Sequence, residues 1–159
     1  MALTLATTRA ILIAGLVAGT LDILDAFLFS YTLRGVSPVR VLQSVASGLL
    51  GRDAYAGGVP TAALGLALHF FIATTAAAVF VEAASAWPML IRRPVLFGIT
   101  YGLVVFVVMQ WVVLPLSAFR PGPFSWPAFV NGTLIHALGV GLPIALMARR
   151  FVRPPPGRQ

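Results

Sequence analysis

The chain contains no cysteine, so disulfides, thiolate metal sites and cysteine nucleophiles are excluded. It is also poor in charge: four of its 159 residues are acidic, and all 11 basic residues are arginine. Charged residues make up 9% of the chain and hydrophobic residues 59%, whereas about a quarter of an average soluble domain is charged. This composition excludes an ordinary soluble domain and predicts an integral membrane protein.

Long apolar runs account for most of the chain. A helix needs about 20 residues to cross a hydrocarbon core of about 30 Å. We therefore predict an all-α membrane protein with four transmembrane helices in an up-down bundle. The first helix is expected to be retained, because its apolar run is longer than a signal-peptide core and no cleavage motif follows it. We predict a single domain at residues 1–150, followed by a disordered Pro/Arg tail at 151–159. The predicted spans lie at about 10–33, 60–84, 94–118 and 126–148.

The arginines indicate the topology. A net charge of +7 is compatible with nucleic-acid binding, but the arginines stand at the edges of the apolar runs, as in membrane proteins. We therefore predict a lipid bilayer and no nucleic acid as the partner. With four spans, both termini share a side with the second connection; that side holds seven arginines and the other side four. The positive-inside rule then predicts cytoplasmic termini. Arginine without lysine, together with much Ala, Gly and Pro, indicates a high-GC bacterial genome, so we expect a bacterial inner-membrane protein.

The first outer connection contains a helical pattern, SPVRVLQSVASGLL. Ser37 and Pro38 suit the N-cap and the first helical position. Apolar residues including Val41, Val45 and Leu49 then recur at helical spacing, opposite polar residues. We expect a short amphipathic helix at about 38–50, lying on or dipping into the outer membrane surface. A re-entrant hairpin is the alternative.

Several polar residues fall inside the predicted spans at similar depth. With a rise of about 1.5 Å per residue, they lie about 12 to 16 Å below the outer boundary. An aspartate at a helix centre costs about 2.5 to 3.5 kcal/mol on insertion scales, so intramembrane ionisable residues generally serve a function or pair with one another. The residues in this layer are Asp22, Asp25, His69, Gln110 and His136.

Stripes of small residues indicate which helix faces pack together, because small residues permit close approach of membrane helices. Asp22 continues the stripe of the first span, and His69 and His136 lie on the small-residue faces of the second and fourth spans. Gln110 lies off the stripe of its own span, so we expect it to support the site rather than form it, together with Asn131. The predicted helix-packing glycines are Gly15, Gly19, Gly65, Gly98, Gly102, Gly132 and Gly139.

These residues predict an intramembrane Asp/His site that binds or passes a metal ion or a proton. Asp and neutral imidazole can ligate a divalent metal ion such as zinc, manganese, iron or copper, so the candidate metal ligands are Asp22, Asp25, His69 and His136. With only four spans per chain, a conducting path would need a homo-oligomer or a larger membrane complex.

Three alternatives stay open at this point. His69 and His136 could ligate haem b, although two aspartates at the same depth do not suit an apolar haem pocket. The polar layer could instead only fix helix packing in a structural or accessory membrane subunit. Asp and His could also perform acid–base chemistry, but nothing marks a catalytic residue, since Gly-x-Ser-x-Gly, P-loop and His-Glu-x-x-His motifs are missing from the sequence.

Three segments carry a resemblance: VLQSVASGLLG, LGLALHFFIA and NGTLIHALGVGLPIA. Together they resemble a group of small uncharacterised bacterial four-helix inner-membrane proteins, over nearly the whole chain. The resemblance implies the four-helix membrane architecture and no activity.

Overall fold

A computed structural model describes residues 5–151. Within that range all regular elements are helical, and four helices are long and apolar enough to cross a membrane. This confirms the all-α, four-helix prediction and indicates a multi-pass membrane protein. The four long helices are α1 (Leu5–Arg34), α3 (Gly58–Ala86), α5 (Pro94–Leu116) and α6 (Trp126–Phe151), and the shorter ones are α2 (Pro38–Leu50) and α4 (Met89–Arg92), with a 3₁₀ turn at Gly51–Tyr55.

Local chemistry accounts for several helix ends. Ser37 accepts a hydrogen bond from the Arg40 amide at 3.4 Å, and Pro38 opens α2, as expected of an N-cap and first-turn pair. Helix α5 likewise begins with a proline. Helix α6 extends to Phe151, the first residue of the predicted tail; the other residues of that tail, 152–159, lie outside the described range.

Two of the long helices depart from α-helical geometry. Residues Met109–Val113 of α5 and His136–Gly141 of α6 are π-helical. A π-helical segment places an extra residue in a turn and often occurs at functional sites. Gln110 and His136 both lie in these segments, so their side-chain directions differ from those that a regular α-helix would give.

Glycines lie where the long helices touch. A Cβ atom at Gly15 would be 2.7 Å from Thr74 Cα, and one at Gly19 would be 2.9 Å from the Phe70 ring. Both positions lie between α1 and α3. A Cβ atom at Gly102 would overlap the His136 carbonyl oxygen, between α5 and α6. The other predicted packing glycines also meet neighbouring groups: Gly65 meets Leu42, Gly98 meets Ala145 and Leu142, Gly132 meets Phe106, and Gly139 meets Ile135 and Leu21.

Helix α2 packs against the start of α3, and both polar and apolar side chains of α2 are buried there. Gln43 and Ser47 are buried, and Gln43 Nε2 donates to the Gly58 carbonyl at 3.0 Å. Leu49 and Leu50 are exposed. We predicted an amphipathic helix on the outer membrane surface, and the structure adds that Gln43 and Ser47 are among the side chains it buries against the protein. The reason is that backbone carbonyls and hydroxyls need hydrogen-bond partners that lipid does not supply.

The two ends of the molecule differ in packing. One end carries α2 and the connections 35–57 and 117–125, and we call it the loop face. The other end, the termini face, carries Leu5, α4 and Phe151. A continuous apolar core lies towards the termini face and joins α1, α3, α4 and α6; its largest fully buried side chains are Phe80, Val81 and Ile144.

Candidate functional site

Asp22 lies between two histidines from two other helices. Its Oδ2 atom is 4.0 Å from His69 Nδ1, and its Oδ1 atom is 3.9 Å from His136 Nδ1. The side chain of Asp22 is 23% exposed, that of His69 12% and that of His136 19%. Helix α1 supplies Asp22, α3 supplies His69 and α6 supplies His136. The residues of the predicted layer that meet are therefore one carboxylate and two imidazoles.

The second nitrogen of His69 determines its protonation pattern. His69 Nε2 lies 2.8 Å from the carbonyl oxygen of Gly19. A carbonyl oxygen only accepts hydrogen bonds, so His69 Nε2 must carry a hydrogen and donate it. A neutral His69 then presents an unprotonated Nδ1 to Asp22. If Asp22 is ionised as well, two lone pairs face each other across 4.0 Å. One additional proton, on either Asp22 or His69, replaces this repulsion by a favourable interaction between the two side chains.

His136 is held in a similar way. Its Nδ1 atom is 2.9 Å from the Gly132 carbonyl oxygen of its own helix and therefore donates to it. The Phe106 ring of α5 lies against the imidazole, with ring centroids 5.4 Å apart. A neutral His136 thus has its Nε2 atom unprotonated, so this imidazole can also take up a proton.

Asp25 does not join this group. Its Oδ2 atom accepts a hydrogen bond from Asn131 Nδ2 at 2.6 Å, which links α1 to α6. Both residues were predicted to belong to the site, Asp25 as a metal ligand and Asn131 as a supporting residue. The two aspartates are three positions apart but serve different neighbours, because Asp22 continues the Gly15–Gly19 face of α1 and Asp25 lies at its edge.

A cavity of about 310 Å³, which we call the inner cavity, adjoins the three side chains. Its walls are mostly apolar, and a few polar groups converge on it, as in many small-molecule and ion sites. Asp22, His69 and His136 line it, and so does Gln110. Gln110 therefore lies at the inner cavity, although its position off the small-residue stripe of α5 left this doubtful in the sequence.

Three further small residues of the cavity wall were not predicted. Ser44 and Gly48 come from α2, and Ser117 from the connection after α5. The Gly48 carbonyl oxygen accepts a hydrogen bond from the Ala118 amide at 2.8 Å, which fastens these two segments to each other. The sequence carried no signal for these positions, since the Ser44 and Ser117 hydroxyls donate to the carbonyls of Val41 and Leu114 within their own segments.

The structure gives no specific support to a metal or haem site. Within residues 5–151, no group of three or more His, Asp or Glu side chains is arranged to hold a metal ion. His69 Nε2, the nitrogen through which histidine commonly ligates haem iron, donates to a backbone carbonyl instead. The divalent-metal and haem b predictions therefore remain predictions.

Comparison of the chain with family models, with curated proteins and with solved structures finds no match. The functional conclusion therefore depends on the site itself.

Proposed function

We propose that this chain is an integral membrane protein that binds a proton at Asp22, between His69 and His136, and passes it within the membrane domain. The observation that supports this proposal is the contact of one carboxylate with two imidazoles from two other helices, at 4.0 and 3.9 Å. All three groups line the inner cavity, and all three can gain or lose a proton.

Protonation is the least costly way to make this arrangement stable. The hydrogen bonds to the Gly19 and Gly132 carbonyl oxygens leave each neutral imidazole one unprotonated nitrogen. An ionised Asp22 alone would cost several kcal/mol at a helix centre. A proton on Asp22 removes that charge, and a proton on either histidine pairs with it.

Binding of a divalent metal ion at the same site is less well supported than binding of a proton. Asp25, one of the predicted ligands, is engaged by Asn131. Binding of a metal ion would require the remaining side chains to move towards one centre. We therefore favour the proton over the metal ion for this site.

The second candidate function is a structural or accessory membrane subunit. The hydrogen bonds from His69 to Gly19 and from Asn131 to Asp25 each join two helices, which is what polar side chains do when they only fix packing. In both cases we propose a bacterial inner membrane, cytoplasmic termini and assembly into a homo-oligomer or a larger membrane complex.

The test is an infrared pH titration of the protein in lipid. We expect a protonated-carboxyl band that grows on acidification, that disappears in Asp22→Asn and that persists in the matched variant Asp25→Asn. A band that Asp22→Asn leaves unchanged would reject the proton site and favour the structural subunit.

Elemental analysis of the untagged protein, purified without chelator, tests the competing metal hypothesis. We expect no stoichiometric metal. Near-stoichiometric zinc, manganese, copper or iron that is lost in the His69→Ala, His136→Ala double variant would replace the proton by a metal ion or haem.

A further inference from the structure

A second cavity adjoins the inner cavity and is lined largely by residues of the loop face. This space, of about 490 Å³, is formed by the ends of α1, α5 and α6 and by the 117–125 connection. We call it the vestibule. Arg34 and Ser125 are among its lining residues, and a guanidinium at the mouth of a cavity keeps it hydrated.

The vestibule and the inner cavity share three lining residues, Gln110, Leu114 and Phe119. We call these residues the neck. Gln110 belongs to the π-helical segment of α5. Within residues 5–151 its amide makes no hydrogen bond to another group, so it is free to bond water. The neck thus combines one polar side chain with two apolar ones, at the junction of the two cavities.

At its other end the inner cavity borders the apolar core. Ala76 and Val140 line it, and the Tyr101 hydroxyl donates to the Ala76 carbonyl at 2.6 Å, which ties α5 to α3. The Phe80 and Tyr101 rings pack with their centroids 5.0 Å apart. Beyond them lies the apolar core of the termini face.

We propose that the Asp22 site is open to one side of the membrane only: water and protons reach it from the loop face through the vestibule and the neck, and the core beyond Ala76 and Tyr101 separates it from the termini face. This inference rests on the proposed function, because it states from which side of the membrane the proton reaches Asp22. The access path itself is a property of the cavities and can be tested separately.

The lack of cysteine makes the test direct, because every single-cysteine variant has one reactive thiol. Ala73 lines the inner cavity, and Ala77, one turn nearer the termini face, is fully buried in the core. We expect an impermeant anionic methanethiosulfonate to label Ala73→Cys in membrane vesicles from the loop face and not from the termini face. Ala77→Cys should react from neither face, and both thiols should react fully after denaturation. Ala56→Cys and Trp87→Cys report which face each vesicle preparation exposes.

Ser44→Cys provides a second test, because it is nearly isosteric and also lines the inner cavity. This variant gives an independent result if Ala73→Cys misfolds, and we expect it too to be labelled from the loop face only. Labelling of both cavity thiols from the termini face, from both faces or from neither face would overturn the proposal.

The neck is tested by filling it. Leu114→Trp, combined with Ala73→Cys, should slow labelling from the loop face at least about tenfold, because the indole occupies the junction. Leu116→Trp is the matched control, since Leu116 is 84% exposed and lines neither cavity. Equal rates in the two double variants would show that the reagent does not pass the neck. One-sided labelling together with a negative infrared result would retain the access path and reject the proton site.

Discussion

Asp22 and His69 should depend on each other energetically, because a proton shared between them stabilises both. We expect Asp22→Asn and His69→Ala to be non-additive, with a coupling of about 0.5 to 3 kcal/mol in the free energy of unfolding, as for residues in contact. The measurement is a double-mutant cycle by reversible unfolding in mild detergent.

The control for this cycle pairs Asp22→Asn with Ser85→Ala. Ser85 lies near the other end of α3, where its hydroxyl donates to the Val81 carbonyl. Residues that far apart usually give additive effects. A coupling between Asp22 and His69 that is no larger than this control would mean that the 4.0 Å approach contributes nothing to stability.

Loss of the Asn131 side chain should destabilise the protein more than loss of the negative charge of its partner, Asp25. Asn131→Ala removes the 2.6 Å donor from Asp25 and leaves an aspartate without it inside the membrane domain. We expect a loss of about 1 to 2 kcal/mol, in the range measured for side-chain hydrogen bonds within membranes. Asp25→Asn should cost less, since its amide oxygen can still accept from Asn131. Thermal unfolding of the two variants compares them, and an equal or larger loss for Asp25→Asn would contradict this account.

At the scale of elements, the close approach between α5 and α6 should be sensitive to any added side chain. A Cβ atom at Gly102 would overlap the His136 carbonyl oxygen, and backbone cannot move away as a flexible side chain can. We expect Gly102→Ala to destabilise the fold by about 1 to 3 kcal/mol, as overpacking does, and to disturb the position of His136. Thermal unfolding tests the first effect and the infrared titration the second.

Gly122→Ala is the matched control for Gly102→Ala. Gly122 lies in the connection before α6, and a Cβ atom there would meet no other atom within 4 Å. It should leave both stability and the titration unchanged. If Gly102→Ala also left stability and the titration unchanged, the backbones of α5 and α6 would have to lie further apart than the structure places them.

The helices were predictable because apolar length alone decides which segments can cross a membrane. The meeting of Asp22, His69 and His136 was predictable too, since each continues a stripe of small residues at a similar depth. The pairing of Asp25 with Asn131 was not, because a difference of one turn decides which neighbour a side chain meets. The π-helical segments at Met109–Val113 and His136–Gly141 depend on contacts between helices, and a single-helix pattern does not contain that information.

Helix α2 shows the same difference between pattern and packing. Its bounds follow from Ser37, Pro38 and the helical spacing, all of which are local. Its orientation depends on the Gly58 carbonyl and the Thr61 hydroxyl, which lie at hydrogen-bonding distance from Gln43 Nε2. Because these groups come from α3, the sequence of α2 alone could not reveal that Gln43 turns inward while Leu49 and Leu50 stay exposed.

At the scale of the whole molecule, the arginine distribution predicts which way the site faces. Among residues 5–151, five arginines lie towards the termini face and four towards the loop face. The positive-inside rule therefore predicts that the termini face is cytoplasmic. The inner cavity shares Gln110, Leu114 and Phe119 with the vestibule, and by the proposed path the Asp22 site would then take its proton from outside the cell.

Orientation can be measured in intact cells because the chain lacks cysteine. We expect an impermeant maleimide to label Ala56→Cys, in the connection before α3, without permeabilisation. Trp87→Cys, in the connection after α3, should react only after the membrane is permeabilised. The reverse pattern would place the loop face in the cytoplasm, and the Asp22 site would then exchange protons with the cell interior. Labelling of both thiols in intact cells would be incompatible with opposite faces and would contradict the assignment of α3 as a membrane span.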